Sequence, residues 1–166
     1  MMTRICKDYE TIRAYCKENN KHWIPILPDG MCAPTTIATA LHIMKAENCS
    51  ASALVTAAIT KHENTAAFKR LPLTYQKDLL RMKQNPIALK EEGLWTTDAG
   101  AMVMSLLGIY IEYDIVVLRP AKGKISSTIN RCGVSNPKGT IVTVLWDCPA
   151  PHFELLVEVT ETHPMQ

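Results

Sequence analysis

Apolar residues in the first half of the chain recur at the spacing of amphipathic helices. A first helix, near 8–19, is predicted by a stripe at i, i+3, i+4 and i+7 that consists of Tyr9, Ile12, Arg13 and Cys16. Two prolines and a Pro-Asp-Gly turn then interrupt regular structure, and a second helix follows with Pro34 in its first turn. Ser50 can cap a third helix, and residues 75–83 predict a fourth that ends before Pro86.

The pattern changes from helical spacing to alternation after residue 93. Thr96 or Thr97 can cap one more helix, which Gly108 is placed to end. Residues 109–118 are rich in β-branched and aromatic side chains, which predicts a strand. One face of that strand is expected to carry Ile109, Ile111, Tyr113, Ile115 and Val117.

Two further strands are predicted towards the C-terminus. The apolar run at 140–146 is typical of a strand buried on both faces. In the last segment, apolar residues from Phe153 to Val159 alternate with Glu154 and Glu158, which predicts a half-exposed strand. Helices therefore precede a small sheet, and we expect an α+β domain.

Length and composition indicate one globular domain covering residues 1–166. The 47% of apolar residues suffice for a core, and a net charge of +2 argues against a nucleic-acid or anionic membrane partner. The longest apolar run, residues 102–111, is far shorter than the roughly 20 residues of a membrane helix. Because the N-terminus also shows no apolar leader, we expect a cytoplasmic protein with reduced thiols.

Cys32 stands out among the six cysteines. It follows a Pro-Asp-Gly turn and opens a predicted helix, and the N–H groups of a helix N-terminus favour a thiolate by lowering the pKa of a thiol. The same turn exposes successive N–H groups that can bind an oxyanion. The competing interpretation is a small cysteine buried at the start of a helix.

A nucleophilic thiol needs a base, and His152 is the best placed of the five histidines. It opens the last predicted strand, and Glu154, two residues later, points to the same face, where a carboxylate can orient an imidazole. The alternative is a surface histidine beside a solvated glutamate.

Other chemistries have weaker support in the sequence. Cys132, Cys148 and His152 could bind zinc, but a fourth ligand is not evident. His62-Glu63 begins a zincin motif in which Ala66 replaces the second histidine. No phosphate-binding glycine loop occurs either. Because none of these patterns is complete, neither a metal nor a cofactor is predicted.

Three short motifs, taken together, resemble a known family. Residues 28–32 (P-D-G-M-C) resemble the D-G-N-C motif of the ovarian tumour (OTU) family of cysteine proteases. Residues 93–98 (G-L-W-T-T-D) and the helix and strand that follow resemble its tryptophan-containing segment, and residues 152–156 (H-F-E-L-L) resemble its terminal H-Y-D/N motif. The motifs occur in the family's order, and the resemblance spans roughly residues 23–160.

The resemblance implies a papain-like OTU fold, with a small central sheet flanked by helices, and a thiol protease acting on conjugates of ubiquitin or a ubiquitin-like protein. It assigns Cys32 as nucleophile, His152 as general base and Glu154 as the orienting residue. Asp29 would support the oxyanion-hole loop or contribute to the catalytic arrangement. No cofactor is implied.

The resemblance also implies a substrate channel. Backbone N–H groups of residues 29–32 would meet the oxyanion, with Gly30 and Met31 contacting a slender Gly-Gly tail. Trp95 would line that channel or simply pack.

Departures from the family motifs leave alternatives open. Met31 replaces the usual asparagine, Thr96 and Thr97 replace two glycines, and Glu154 is one methylene longer than aspartate. They indicate a divergent member, similar to those of viruses or pathogens. The alternatives are a protease that processes a viral polyprotein and a non-catalytic module that binds ubiquitin.

Overall fold

Eight α-helices, one short 3-10 helix and five strands are the regular elements in the part of the chain that the computed structural model describes, residues 2–147 and 151–159, with side chains from residue 7 onward. The helices are α1 (Met2–Glu18), α2 (Cys32–Lys45), α3 (Ala51–Glu63), α4 (Ala66–Lys69), α5 (Leu73–Gln84), α6 (Ala88–Glu91), α7 (Asp98–Ala101) and α8 (Val103–Ile111). The strands are β1 (Lys21–Ile24), β2 (Tyr113–Ala121), β3 (Lys124–Asn130), β4 (Gly139–Trp146) and β5 (His152–Glu158).

The strands form one mixed sheet in the order β1-β5-β4-β2-β3. Strands β2 and β4 run parallel at its centre, and the other neighbours pair antiparallel. Helices dominate the first two thirds of the chain and most of the sheet follows, so the predicted α+β class is confirmed.

A hydrophobic core lies on each face of the sheet. The main core joins the sheet to helices α2, α3, α5 and α8 and includes Ile37, Val55, Leu79, Leu107, Ile115 and Leu155. The second core is smaller and lies under α1, where it consists of Ile12, Cys16, Leu118, Val144, Trp146 and Leu156. The sheet thus separates α1 from the other long helices.

Several predicted elements match the structure. Helix α1 starts at Met2, well before the predicted start near residue 8, and α2 and α5 contain the predicted second and fourth helices. The Ser50 side chain accepts the N–H of Ala53 at 3.0 Å, so the predicted cap of α3 is confirmed. None of these helices is both long and apolar enough to cross a membrane.

The predicted helix stop at Gly108 is wrong. Helix α8 continues to Ile111, and Glu112 adopts the left-handed conformation that ends it, with φ of 64°. A Cβ on Gly108 would lie 2.9 Å from Cδ1 of Ile115 and 3.0 Å from the Tyr113 carbonyl oxygen. Gly108 therefore lets the helix approach β2 closely, and the strand begins at Tyr113 rather than at residue 109.

The C-terminal sheet also differs from the prediction. Strand β5 is buried on both faces, including Glu154, rather than half exposed. Strands β1 and β3 were not predicted. Both lie at the sheet edges, where a polar sequence is tolerated because one side of the strand faces solvent.

Candidate active site

A hydrogen-bonded turn places Cys32 at the first position of α2. The Asp29 carboxylate accepts the Met31 N–H at 2.8 Å, and the Asp29 carbonyl accepts the Cys32 N–H at 3.1 Å. An aspartate that bonds its own backbone two residues on is a common turn device. The Asp29 carboxylate also lies 3.6 Å from Nζ of Lys90. Asp29 therefore stabilises the loop before Cys32, and none of these three contacts involves His152.

Gly30 is required at the centre of this turn for steric reasons. A Cβ at this position would lie 2.5 Å from Cδ1 of Trp95, 2.7 Å from Cα of Lys90 and 2.9 Å from the Leu89 carbonyl oxygen. Two of those three atoms are backbone, which cannot move aside cheaply. The turn is thus packed directly against α6 and the short 3-10 helix Leu94–Thr96.

We expect Gly30→Ala to lower the free energy of unfolding by about 3 kcal/mol, because the added methyl overpacks the turn. Gly93→Ala is the matched control: its Cβ meets no atom within 4 Å, and only its φ of +66° is unfavourable. The control is expected to cost about 1 kcal/mol. Urea unfolding of both variants checks this; a cost for Gly93→Ala as large as that for Gly30→Ala would contradict it.

The Cys32 thiol contacts the start of β5. Its Sγ accepts the backbone N–H of Phe153 at 3.5 Å, and the residue is only 6% exposed. Burial raises the pKa of this thiol; the N–H groups of Phe153 and Ala33 oppose that effect, and the nearby Asp29 charge adds to it. The lower pKa expected from the helix N-terminus is therefore wrong, because desolvation outweighs the local N–H groups.

His152 lies beside the residue that contacts Cys32. Its Nε2 is 3.3 Å from a carboxylate oxygen of Glu154, as the shared strand face predicts. Its Nδ1 is buried and has no hydrogen-bond partner among the described residues. Buried polar atoms are normally paired, so this ring nitrogen, one residue before the Phe153 amide that contacts the thiol, is a candidate proton acceptor.

The Glu154 carboxylate accepts hydrogen bonds from two indoles and a backbone amide. One oxygen accepts the indole N–H groups of Trp23 at 2.9 Å and Trp146 at 2.8 Å. The other accepts the backbone N–H of Ile26 at 3.0 Å and faces His152. A carboxylate has about four lone-pair sites, so this group, only 8% exposed, is fully satisfied.

A cleft of about 580 Å³ opens at Cys32. Gly30, Trp95 and Phe153 line it, and the β2–β3 hairpin contributes Arg119, Thr128 and Asn130. Met31 is not among the lining residues, and its side chain packs against the main core instead. Of the three residues predicted to contact substrate, two therefore line the cleft and Met31 contributes its backbone to the turn.

Sequence reasoning missed the donors around Glu154 and the hairpin side of the cleft. The indoles of Trp23 and Trp146 meet only because β1 and β4 both pair with β5. The sequence has only three tryptophans, and this scarcity could have drawn attention to them. Two of the three lie on the strands that flank the strand carrying His152.

The described residues contain no group of three or more His, Cys, Asp or Glu side chains that could bind a metal. Cys16, Cys32, Cys49 and Cys132 are free thiols. Cys148, part of the zinc alternative, lies outside the described residues, as does His163.

Comparison with solved structures finds this architecture in OTU domains. The chain is similar to the OTU domain of OTUD1, with 15% sequence identity over 92% of this chain and 96% of that chain and a TM-score of 0.63. It is also similar to an OTU deubiquitinase from Wolbachia pipientis wMel bound to ubiquitin, with 12% identity, 84% and 96% coverage and a TM-score of 0.51. No protein-family model and no curated protein sequence matches the chain. The chain thus has the OTU fold, as the motifs led us to expect.

Proposed function

We propose that this chain is a divergent OTU-type cysteine protease that hydrolyses bonds after the C-terminal glycine of ubiquitin or a ubiquitin-like modifier. One observation carries the proposal. The Phe153 N–H donates to the Cys32 thiol, and the adjacent His152 has Nε2 at 3.3 Å from Glu154 and Nδ1 without a partner among the described residues. The likeness to a Wolbachia deubiquitinase bound to ubiquitin supports ubiquitin as the partner.

The first chemical step is attack by the Cys32 sulfur. Because burial raises the pKa of this thiol, the proton stays on sulfur until Nδ1 of His152 removes it. The thiolate then attacks the carbonyl carbon of the terminal glycine. The imidazolium that forms is stabilised through Nε2 by the Glu154 carboxylate, 3.3 Å away.

The oxyanion of the tetrahedral intermediate needs free N–H groups. Within residues 29–32, the amides of Asp29, Met31 and Cys32 already donate to Leu27, to the Asp29 side chain and to the Asp29 carbonyl. The Gly30 N–H has no acceptor in the described part of the chain. We infer that Gly30 donates directly and that the Cys32 N–H exchanges the Asp29 carbonyl, 3.1 Å away, for the oxyanion.

Proton return completes the reaction. Protonated His152 gives its proton to the departing lysine amine as the carbon–nitrogen bond breaks and a thioester to Cys32 forms. A water that gives its proton to His152 then attacks the thioester carbonyl. The modifier leaves with a free carboxyl group, and the thiol regains its proton.

The proposal is tested with the full chain and a ubiquitin that carries an electrophile in place of its C-terminal carboxylate. We expect one covalent adduct per chain, mapped by peptide mass spectrometry to Cys32. A probe lacking the last two glycines is the matched control, and we expect no adduct with it.

Two results would contradict this function. An adduct on Cys16, Cys49 or Cys132 would show that another thiol reacts with the probe. Absence of any adduct, from a protein whose circular dichroism shows it to be folded, would exclude a competent nucleophile; measurable ubiquitin binding in that case would indicate the non-catalytic module.

A further inference from the structure

Two indole rings bind the Glu154 carboxylate on the α1 side of the sheet, and a third aromatic ring packs against them. The rings of Trp23 and Trp146 lie 5.4 Å apart, and both indole N–H groups donate to the same oxygen of Glu154. Tyr9 of α1 packs edge-on against both, at 5.7 Å and 4.9 Å. This arrangement joins α1, β1 and β4 at the group that faces His152.

We propose that Trp23 and Trp146 are positioning residues for the reaction, holding the Glu154 carboxylate against Nε2 of His152. The inference rests on the proposed function of the site. Neither indole is a catalytic residue in this assignment, because both act through Glu154.

The length of glutamate explains the need for two indoles. Glutamate has one more rotatable bond than aspartate, so its carboxylate can occupy more positions when no hydrogen bond restrains it. Here the two indoles hold one oxygen, and the Ile26 N–H at 3.0 Å holds the other in place to face His152. Removing an indole N–H frees one of these restraints and leaves an oxygen of a buried anion with one donor fewer.

Indoles suit this task chemically. An indole N–H donates a hydrogen bond but has no acceptor site, so it cannot exchange protons with His152 as a water or hydroxyl could. Hydrogen bonds from a neutral donor to an ionised acceptor are also among the stronger ones in proteins.

The test is a double-mutant cycle between each tryptophan and Glu154. Trp23→Phe and Trp146→Phe keep an aromatic ring and remove the N–H, and each is made alone and in a Glu154→Ala background. Two rates are measured: turnover of a ubiquitin amide substrate, and alkylation of Cys32 by iodoacetamide, followed on the Cys32 peptide by mass spectrometry.

With Glu154 present, we expect each phenylalanine variant to lower kcat about tenfold with KM changed less than twofold, and to slow alkylation of Cys32 severalfold. With Glu154→Ala, the same changes are expected to have less than a twofold effect, because no carboxylate is left to position. Tyr9→Phe is the matched control; it keeps the ring and is expected to leave both rates unchanged.

Equal losses with and without Glu154 would overturn the inference, since a merely structural role is independent of the carboxylate. The inference would also be overturned if both phenylalanine variants kept unchanged rates and had the same melting temperature as the unmodified chain. The alkylation cycle needs no ubiquitin. If the chain does not cleave ubiquitin at all, alkylation still decides whether the indoles act on Cys32 through Glu154, and the two failures are distinguished.

Discussion

Replacing Cys32 by alanine is expected to abolish hydrolysis, lowering kcat on a fluorogenic ubiquitin amide by at least about 10⁴-fold. The variant lacks the atom that forms the thioester in the proposed mechanism, which leaves His152 and the turn amides with no nucleophile to activate. The fold is expected to survive, because loss of a single buried sulfur costs about 1 kcal/mol. Steady-state kinetics and a urea unfolding curve on the same preparation measure both effects.

The matched control for this variant is Cys49→Ala. Cys49 is also a free thiol, but it lies half-buried near the start of α3, away from the cleft. It is expected to keep the activity of the unmodified chain. Residual turnover above about a tenth in Cys32→Ala, or an equal loss in Cys49→Ala, would remove Cys32 from the role of nucleophile.

The second large effect is expected at His152. In the proposed mechanism His152 is both the base that deprotonates Cys32 and the acid that protonates the leaving amine, so we expect His152→Ala to lower kcat about 10³- to 10⁴-fold. Glu154→Gln keeps the shape of the side chain but removes its charge, and the loss is expected to be nearer 10²-fold. Steady-state kinetics at one pH should therefore order the three proteins as unmodified, Glu154→Gln and His152→Ala.

His42→Ala controls for loss of any histidine, because His42 is exposed on α2 and outside the described lining of the cleft. It is expected to be fully active. Equal activities of His152→Ala, Glu154→Gln and the unmodified chain would contradict the assignment of the acid–base pair. A Glu154→Gln variant as inactive as His152→Ala would instead mean that the negative charge, rather than orientation, supplies most of the effect.

Elements whose signals are local could be predicted from the sequence. The Ser50 cap of α3 acts through one nearby amide, and the apolar run of β4 needs no knowledge of its neighbours. Strands β1 and β3 could not be predicted because their extended form depends on pairing with β5 and β2. The prediction that Gly108 ends a helix was wrong for a similar reason, because the role of this glycine depends on β2, which packs against it.

The same distinction applies to the candidate site. Cys32, His152 and Glu154 were predicted because each lies in a short motif, and the two-residue spacing along a strand put the last two on one face. The indole donors come from segments that are distant along the chain. The pKa of Cys32 was predicted in the wrong direction because burial is a property of the folded chain, which the local turn does not reveal.

Alternation along β4 and β5 has a consequence for engineering. Leu145 and Phe153, which pair across the two strands, line the cleft, whereas Trp146, the neighbour of Leu145, lies in the core under α1. Cleft positions therefore alternate along these strands with positions, such as Trp146, that bind the Glu154 carboxylate. If the chain has the proposed function, libraries that vary cleft positions such as Arg119 and Thr128 are expected to change which tails are accepted without altering the donors to Glu154.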